Sequence, residues 1–540
     1  MKRRVLLLLG LLAALRLPVG DLGWTCALAA DVQPEGRDSA AISAAIQRCQ
    51  AGDILRLPAD TYSLSESIRM KSGVRLVGAG QGKTILNYSG DKPAPFVSVV
   101  DCEDVEIAHL TLDGQNNPLV RDGMTGGNSR RLFIHHVTFC NLGQGSSSFS
   151  HGIIFSGHNP TLARGVTDST ISDCRFEHIG LTAKYGGAIR MAWGSVRNQV
   201  ERNVIRDTGR GGIFGDHSAE LVIRHNQVSG SGGEGLGIEI WGGCPRSLIE
   251  DNLVDHWISV DQGNQSAVRR NVVGADDGTL KGYGIEIIAS DVVVTDNVVK
   301  RGASIGLSVS NQPRKNNVFW GYNTIRDCVQ WGAQLQGETG GIAQHYFYRC
   351  SFEKTIRGDA RARYPQDSGH GFRLNGSSRE LVFEACAFRD NGGFGVQVGG
   401  PGVDSISFLS CVFTNNRQGL ITGLTPEMTA EFKACQWVGQ AGPLPAAKEF
   451  LGPAPVADFG MPPVVQAGAA AQFECKSKTE KGAIAQRLWD FGHGIPEVVA
   501  DPKHTFDRPG KYRVTLIVWD AAGRGARLEK VLAVVPGTQP

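Results

Sequence analysis

Acidic and basic residues recur at matching places in a series of short segments between residues 187 and 310. These segments are predicted strands, in which alternate side chains point to the same face. Their alignment predicts one outward column with Arg190, Phe214, Glu239, Ser259, Glu286 and Ser308, and a neighbouring column with Asp216, Trp241, Asp261 and Ser310. We therefore expect carboxylates, an arginine and a tryptophan to share one face of the molecule.

The residue types in these columns are those of general acid–base chemistry and sugar binding. We predict catalytic roles for Arg190, Asp216, His217, Glu239, Asp261 and Glu286. Because sugars hydrogen-bond to polar groups and stack on aromatic rings, we predict substrate-binding roles for Lys184, Tyr185, Trp193, Trp241, Trp257, Lys281 and Tyr283. The alternative is that outward positions are polar only because they face water.

The first candidate reaction is β-elimination in a uronic-acid polymer. A cation offsets the carboxylate of the sugar, and a base removes the C5 proton that this carboxylate makes acidic. Asp216 and His217 place a carboxylate beside an imidazole, and Arg190 supplies fixed positive charge. Lys281, Tyr185 or Tyr283 could act as base or acid.

Two other functions compete for the same face. An inverting hydrolase needs two carboxyl groups. Glu239 and Glu286, two predicted coils apart, would be separated by about 9.6 Å, near the upper end for such a pair, and a pair on adjacent coils, such as Glu239 and Asp261, would be closer. A protein that only binds glycans or cell-surface material needs no catalytic pair.

The same face also predicts a metal site for the β-elimination. Ca²⁺ takes oxygen ligands, and the carboxylates of Glu239, Asp261 and Glu286 are ligands of that kind, so Ca²⁺ is the predicted cofactor.

A repeat of 19 to 26 residues organises the chain from about residue 170. Its clearest mark is an asparagine that begins a short strand, at Asn203, Asn226, Asn252, Asn271, Asn297 and Asn323, and the same place is taken by Cys174, Cys350, Cys386, Cys411 and Cys435. Three strands per repeat fit one coil of a parallel β-helix, which the crossover rule makes right-handed. Stacked asparagines would then bond one another from coil to coil. Most of the cysteines are expected to be buried free thiols.

The beginning of this solenoid carries a family resemblance. The segment DSAAISAAIQRCQAGDILRLPADTYSLSESIRMKSGVRLVGAG places an amphipathic helix at Ser39 to Cys49 before a turn rich in Gly, Asp and Pro. It resembles the start of the pectate lyase-like superfamily, and this resemblance implies a right-handed parallel β-helix over residues 31–440. The insertions at residues 143–149 and 358–369 are expected to be loops that wall a groove.

Two further segments resemble families with known chemistry. FGDHSAELVIRHN resembles the Asp/His segment of β-helical alginate epimerases, which also abstract a proton, but the D-P-H-D pattern is absent, which favours a lyase over an epimerase. Gly369-His370-Gly371 resembles one segment of polygalacturonase-type hydrolases, whose N-T-D, D-D and R-I-K segments have no counterpart here. His135, His136, His225 and His256 are interpreted as packing or solvated residues.

The C-terminal part resembles a PKD domain, an immunoglobulin-like β-sandwich. The resemblance rests on LWDFGHG, HTF, PGKY and VTLIV between residues 488 and 518, although His493 stands where the family usually has Asp. A Pro- and Ala-rich stretch at residues 441–457 is predicted to be a linker. We therefore predict a PKD domain over residues 458–536.

The first thirty residues predict export. A basic start, the apolar run Val5 to Leu15 and the small residues Ala27 to Ala30 are typical of a signal peptide. We expect a secreted, periplasmic or cell-surface protein without a membrane span. The formal net charge of +2 gives no indication of a nucleic-acid partner. An extracellular polysaccharide is the predicted partner, and a monomer is the predicted state.

Overall fold

The computed structural model describes residues 29–145, 148–157, 164–232, 236–275, 282–301, 304–310, 315–400, 402–439, 448–450, 452–480 and 482–537. Lys281, most of the predicted signal peptide and part of the predicted linker lie outside these residues.

The N-terminal body is a solenoid in which each coil contributes three strands. Strand Gly187–Ala192 pairs in parallel with Gly211–Asp216 of the next coil. The second and third strands of the coil do the same with their own counterparts. The three stacks of strands form three walls, here called the groove wall, the second wall and the third wall.

The strands of each wall follow one another along the chain. The groove wall contains Ile68–Arg69, Val97–Val100, Asp122–Gly127, His151–Ser156, Gly187–Ala192, Gly211–Asp216, Leu236–Trp241, Ile258–Asp261, Tyr283–Ile288, Ile305–Val309, Phe394–Val398 and Gly419–Thr422. The second wall contains Asp31–Val32, Ile54–Leu57, Arg75–Gly78, Val166–Thr167, Thr170–Ser172, Gln199–Glu201, Val222–Arg224, Leu248–Glu250, Ala267–Arg269, Val292–Thr295, Lys315–Gly321, Asp404–Leu409 and Ala430–Lys433. The third wall contains Asp60–Leu64, Thr84–Tyr88, Arg175–Ile179, Val204–Thr208, Gln227–Ser231, Leu253–Val254, Val272–Val273, Val298–Val299, Thr324–Arg326, Ser351–Glu353, Ala387–Arg389, Val412–Thr414 and Gln436–Val438.

Four long strands turn a corner and belong to two walls. Glu103–Asp113 and Ser129–Leu142 run along the second and third walls. Trp331–Tyr348 and His370–Glu384 run along the groove wall and the second wall.

The register of the groove wall agrees with the first predicted column. Arg190 stands opposite Phe214, Phe214 opposite Glu239, and Glu239 opposite Ser259. The column continues through Glu286 to Ser308. The interior side of each strand carries the alternate residues, such as Ile189, Ile213 and Ile238, which are buried in the core. Alternation of buried and outward positions therefore fixes which side chains reach the groove.

The predicted asparagine ladder is present at the corner between the second and third walls. Each buried asparagine from Asn203 to Asn297 donates its Nδ2 hydrogen to the Oδ1 of the next, at 3.0 Å in every step from Asn203 to Asn323. Cys350 continues the stack beyond Asn323, and Cys174 precedes it by donating its N–H to the Oδ1 of Asn203. All eleven described cysteines are free thiols. Cysteine therefore replaces asparagine at one position of the coil, as the sequence predicts.

A short helix closes the N-terminal end of the core. It spans Ser39–Arg48, and the Oδ1 of Asp38 caps it by accepting the N–H of Ala41 at 2.8 Å. Its apolar residues Ile42 and Ile46 are fully buried against the first coils. The helix thus covers apolar surface and strand edges that would otherwise be open to other chains.

The C-terminal module is a small β-sandwich. Its strands are Phe459–Gly460, Val464–Gln466, Ala470–Gln472, Glu474–Cys475, Ile484–Asp490, Lys503–Thr505, Gly510–Asp520 and Gly525–Val535. Two residues of the predicted linker pair with ordered structure: Lys448 bridges to Thr429 of the solenoid, and Val456 bridges to Lys478 of the sandwich.

The sandwich packs directly against the second wall. Arg269 of the solenoid forms a buried ion pair with Asp490 at 2.6 Å and also donates to the carbonyl of Gly494. Trp519 of the sandwich packs edge-on against Tyr346, with ring centres 6.2 Å apart. The module is therefore docked on a wall that does not carry the groove column. Within the described residues, no helix has the length and apolar character needed to cross a membrane.

Candidate functional site

Two clefts lie along the groove wall. The first cleft has a volume of about 530 Å³ and is lined by Phe149, His151, Tyr185, Gly186, Gly187, Arg190, Trp193, Arg210, Phe214, Asp216, His217 and Trp241. The second cleft has a volume of about 680 Å³ and is lined by Gly282, Tyr283, Ser304, Ile305, Gln330, Trp331, Gln334, Gln336, Arg361, Arg363, Tyr364, Asp367, Arg373 and Asn375. Glu239, Ser259 and Glu286 occupy the coils between them.

Asp216 and His217 form an oriented acid–imidazole pair at one end of the first cleft. The Oδ1 atom of Asp216 lies 2.6 Å from Nδ1 of His217. The carboxylate is 3% exposed, whereas the imidazole is 39% exposed. With Asp216 ionised, Nδ1 carries the proton and Nε2 keeps its lone pair. The pair therefore has the arrangement of a general base that its carboxylate holds in one orientation.

Arg190 holds the other oxygen of the same carboxylate. Its Nη2 lies 2.5 Å from Oδ2 of Asp216, and its guanidinium packs between the rings of Phe149 and Phe214. Among the described residues, its buried Nε atom has no acceptor.

Aromatic rings line the opposite end of the first cleft. Tyr185 stacks on Phe149 with ring centres 5.2 Å apart, and Arg210 lies over Tyr185 and Phe214. Lys184 lies at the rim, with Nζ 5.2 Å from the centre of the Tyr185 ring. Phe149 belongs to the first predicted loop, and its side chain lines the cleft. The combination of exposed rings and cations suits an anionic sugar.

Trp241 and Gly242 lie against the imidazole of His217, and Trp193 is bonded to the preceding residue, Asp216. Trp241 meets the His217 ring edge-on at 5.6 Å and is 43% exposed. Trp193 donates its backbone N–H to the carbonyl of Asp216. A Cβ atom on Gly242 would approach the His217 ring to 2.6 Å. Gly242 also has a φ of +66°, so glycine avoids both backbone strain and this close approach to the ring.

His151 is a cleft residue for which the sequence carries no signal. Its Nδ1 lies 3.2 Å from Oδ1 of Asp122, and the same oxygen accepts its backbone N–H. Its Nε2 is buried and has no partner within the described part of the chain. A spatial pair of this kind cannot be found from sequence, because Asp122 and His151 are one coil apart and share no motif.

The two glutamates between the clefts, Glu239 and Glu286, are buried rather than open to the groove. Glu239 contacts Nη2 of Arg210 through both oxygens, at 3.2 and 3.4 Å. Glu286 accepts hydrogen bonds from Ser259 at 3.1 Å and Ser310 at 2.9 Å. Burial raises the pKa of Glu286, and the nearby charge of Asp261 raises it further. The hydrogen bonds from Ser259 and Ser310 act in the opposite direction and lower this pKa.

The predicted Ca²⁺ ligands do not converge in the described structure. Within the described residues, three ligand atoms lie within 4.8 Å of one another in a group of histidines, but not in Glu239, Asp261 and Glu286. Glu239 is paired with Arg210 instead. The Ca²⁺ site stays a prediction that this geometry does not favour.

The second cleft contains Tyr283 among the predicted binding residues. Burial raises the pKa of Tyr283, and the Trp257 ring meets it edge-on at 5.0 Å. The second predicted loop forms the outer wall of this cleft. Its Tyr364 stacks on Trp331, with ring centres 6.3 Å apart. Arg373, on the strand that pairs with the strand of Trp331, lies 4.1 Å from the centre of the Trp331 ring.

Asp367 and His370 form a second acid–imidazole pair at this cleft. Nε2 of His370 lies 3.3 Å from Oδ1 of Asp367, and its Nδ1 accepts the backbone N–H of Phe394 at 3.0 Å. Both ring nitrogens are therefore used within the protein, and the imidazole is 3% exposed. The histidine of the Gly369-His370-Gly371 segment is a packed residue in this structure.

The structure thus divides the predicted site residues into groups. Arg190, Asp216, His217, Tyr185, Trp193 and Trp241 line the first cleft, with Lys184 at its rim. Tyr283 lines the second cleft, and Glu239, Asp261, Glu286 and Trp257 belong to coils between the clefts. Lys281 lies outside the described residues. Residues that line the clefts and were not predicted include Phe149, His151, Arg210, Trp331, Tyr364 and Arg373.

Comparison with known families agrees with this architecture. The model of the family described as "Right handed beta helix region" matches residues 123–254 and 258–432. The chain belongs to this right-handed β-helix family. The PKD domain model matches residues 452–535. The predicted fold, a right-handed parallel β-helix followed by an immunoglobulin-like PKD sandwich, is confirmed.

Several solved structures resemble parts of the chain. The A-module of mannuronan C-5 epimerase AlgE6 from Azotobacter vinelandii is 16% identical, with a TM-score of 0.42, and the match covers 75% of this chain and 96% of that one. PfbA, a surface adhesin of Streptococcus pneumoniae, is 13% identical with a TM-score of 0.40, over 71% of this chain and 88% of that one. Similarity at this level assigns neither activity to the present β-helix protein.

The PKD part resembles modules of other proteins. The PKD1 domain of the Vibrio cholerae metalloprotease PrtV is 32% identical over 15% of this chain and 96% of that one, with a TM-score of 0.14. Collagenase ColQ1 of Bacillus cereus is 40% identical over 62 residues, and this chain spans 6% of its length.

Proposed function

We propose that this β-helix protein cleaves an acidic, uronate-containing polysaccharide by β-elimination in the first cleft. The observation that carries the proposal is the pair formed by Asp216 and His217, in which a buried carboxylate orients an exposed imidazole. Arg190 adds a guanidinium next to this pair. A base next to fixed positive charge is what the removal of a proton α to a carboxylate requires.

The proposed reaction uses each of these groups once. The substrate carboxylate accepts from Arg190, which disperses the negative charge that develops when the C5 proton leaves. Nε2 of His217 takes that proton, and Asp216 stabilises the imidazolium that forms. The electron pair of the C5–H bond becomes the new C4–C5 double bond, the C4–oxygen bond breaks, and water at the open mouth of the cleft protonates the leaving oxygen.

The aromatic residues and the second cleft serve binding in this proposal. Tyr185, Phe149 and Trp241 offer ring faces or edges for sugars on either side of Arg190. Arg361, Arg363 and Arg373 line the second cleft further along the same wall. A long acidic chain lying along the groove would meet cations in both clefts. The predicted signal peptide and the PKD domain support a place of action outside the cytoplasm.

Hydrolysis is the second candidate, and one observation favours it. Glu286 is buried, and its raised pKa suits a general acid. Asp261 is close enough to raise that pKa and could act as the partner carboxylate. Hydrolysis would then take place between the clefts instead of in the first cleft.

An activity screen separates these functions. The mature protein is incubated with polymers of galacturonate, mannuronate, guluronate and glucuronate, and with neutral polysaccharides as controls. We expect new reducing ends together with the ultraviolet absorbance of an unsaturated uronate on one of the acidic polymers. Reducing ends without this absorbance would favour hydrolysis, and binding without either signal would favour a glycan-binding protein. Deuterium uptake at C5 from heavy water without cleavage would indicate epimerisation.

A further inference from the structure

Three histidines gather on a part of the solenoid that is separate from both clefts. His109 belongs to strand Glu103–Asp113, and His135 and His136 belong to strand Ser129–Leu142 of the next coil. One ring nitrogen from each residue lies within 4.8 Å of the other two. The group sits where the second wall meets the third, so it faces away from the groove column.

The coil geometry explains why these side chains meet. His109 and His136 have left-handed φ values of 59° and 51° at the same corner, one coil apart. The pairing of His135 with Ala108 and of Val137 with Leu110 places them in register. The ring centres of His109 and His136 are 4.9 Å apart, and those of His109 and His135 are 5.4 Å apart. Stacked coils therefore bring three imidazoles to one point.

A carboxylate fixes the orientation of the most buried ring. Nε2 of His135 lies 3.1 Å from Oε1 of Glu106, and Arg75 holds both oxygens of Glu106. Because Nε2 donates to Glu106, Nδ1 of His135 keeps its lone pair. This Nδ1 lies 2.9 Å from Nδ1 of His136. A histidine that donates one nitrogen to a carboxylate and presents the other to its neighbours has the arrangement typical of metal ligands.

We propose that His109, His135 and His136 bind one divalent transition-metal ion, with Zn²⁺ as the reference ion. Imidazole nitrogen suits Zn²⁺, Cu²⁺ and Ni²⁺, whereas Ca²⁺ and Mg²⁺ require oxygen ligands that these three residues do not offer. His136 shifts its proton from Nδ1 to Nε2, which gives Nδ1 a free lone pair for the ion. With Zn–N distances of about 2.0–2.1 Å, the nitrogens of His135 and His136 need to separate by only a few tenths of an ångström.

The bound ion would link two neighbouring coils through metal–nitrogen bonds, in addition to the hydrogen bonds between their strands. Three protein ligands leave the fourth position of a tetrahedral ion open to water or to an external ligand. His136 is exposed, so an ion can reach the group from solvent. The first cleft shares none of these residues, and the metal site stands or falls independently of the proposed lyase activity.

Calorimetric titration with Zn²⁺ tests the proposal on the mature full-length protein without a histidine tag, after dialysis against a chelator. The test variant is His136→Asn, which keeps a residue that tolerates left-handed φ. The matched control is His225→Asn, because His225 is also exposed, has a φ of 57°, and belongs to no ligand group in the described residues. Circular dichroism and the melting temperature confirm that both variants fold.

We expect one Zn²⁺ to bind to the wild-type protein and to His225→Asn with equal affinity, and to raise the melting temperature of both. His136→Asn should lose about 100-fold in affinity, and Glu106→Gln about tenfold, since loss of an outer carboxylate weakens metal sites by 10–100-fold. Co²⁺ should give a tetrahedral visible spectrum only when His136 is present. Absence of binding in the wild-type protein, or equal binding in His136→Asn, would overturn the proposal.

Discussion

The two acid–imidazole pairs of the groove wall have opposite patterns of solvent exposure. Asp216 is 3% exposed and His217 is 39% exposed, whereas Asp367 is 40% exposed and His370 is 3% exposed. In the first pair the carboxylate is held in place and the imidazole can meet a substrate. In the second pair the imidazole is held between Asp367 and the backbone of Phe394. The same two residue types thus suit catalysis in one cleft and packing in the other.

The largest effect is expected when the two imidazoles are compared. His217→Gln should lower turnover by about 10²–10⁴-fold, the range that a positioned general base contributes. His370→Gln should change turnover by no more than a few-fold, because His370 does not reach the groove. The measurement that tests this is the rate at which each folded variant forms unsaturated product. Equal losses in the two variants would remove the distinction between the pairs.

A second comparison concerns the two carboxylates. Asp216→Asn keeps the shape of the side chain but removes the charge that orients His217 and stabilises its imidazolium. We expect about a 100-fold lower kcat with little change in KM, since the interaction strengthens only as the proton is transferred. Asp367→Asn serves as the control and should keep kcat. A rise in KM alone for Asp216→Asn would point to a binding role.

The second cleft should reveal itself in KM. Tyr364 is exposed and stacks on Trp331, so Tyr364→Ala removes a ring face without opening the core. We expect KM for a long polymer to rise roughly 3- to 10-fold at unchanged kcat, the size of one aromatic contact. Kinetics on long and short oligomers provide the check, because short oligomers bound in the first cleft should not respond. A fall in kcat would place chemistry in the second cleft.

The smallest effect concerns stability against pH. Burial lowers the pKa of His370 below 6.5 and that of His504 to about 3. The unfolded chain therefore binds protons that the folded chain excludes, and the free energy of unfolding should fall as pH drops below 6.5. Urea unfolding between pH 7 and pH 5 measures the slope. His370→Gln should make this slope shallower, and an unchanged slope would contradict the role given to His370.

Regular coils made part of this site predictable. Glycine-led strands at nearly constant spacing placed Arg190, Phe214, Glu239 and Glu286 in one column, and the strand register agrees. The stacked Asn and Cys residues gave the phase of each coil, which fixed the direction of the outward side chains. Periodicity carries this information because a slip of one residue would bury the polar set.

The periodic repeat of the coils does not predict the contacts made by irregular segments. Phe149 and Tyr364 come from insertions, and the longer coil around Arg373 breaks the spacing on which the alignment depends. The repeat pattern also does not predict burial. It places Glu239 and Glu286 among the open groove residues, although both are only 6% exposed. His109 shows a third limit, since its partners lie one coil away and a single histidine in a strand gives no signal.

Each coil of the solenoid adds the same rise, so positions along the groove lie at regular distances from one another. Seven coil steps separate Arg190 from Arg373 along one column. At about 4.8 Å for each step, the two arginines are roughly 34 Å apart, and the asparagine stack keeps this length from varying. A ligand that contacts both arginines at once must therefore span roughly this distance.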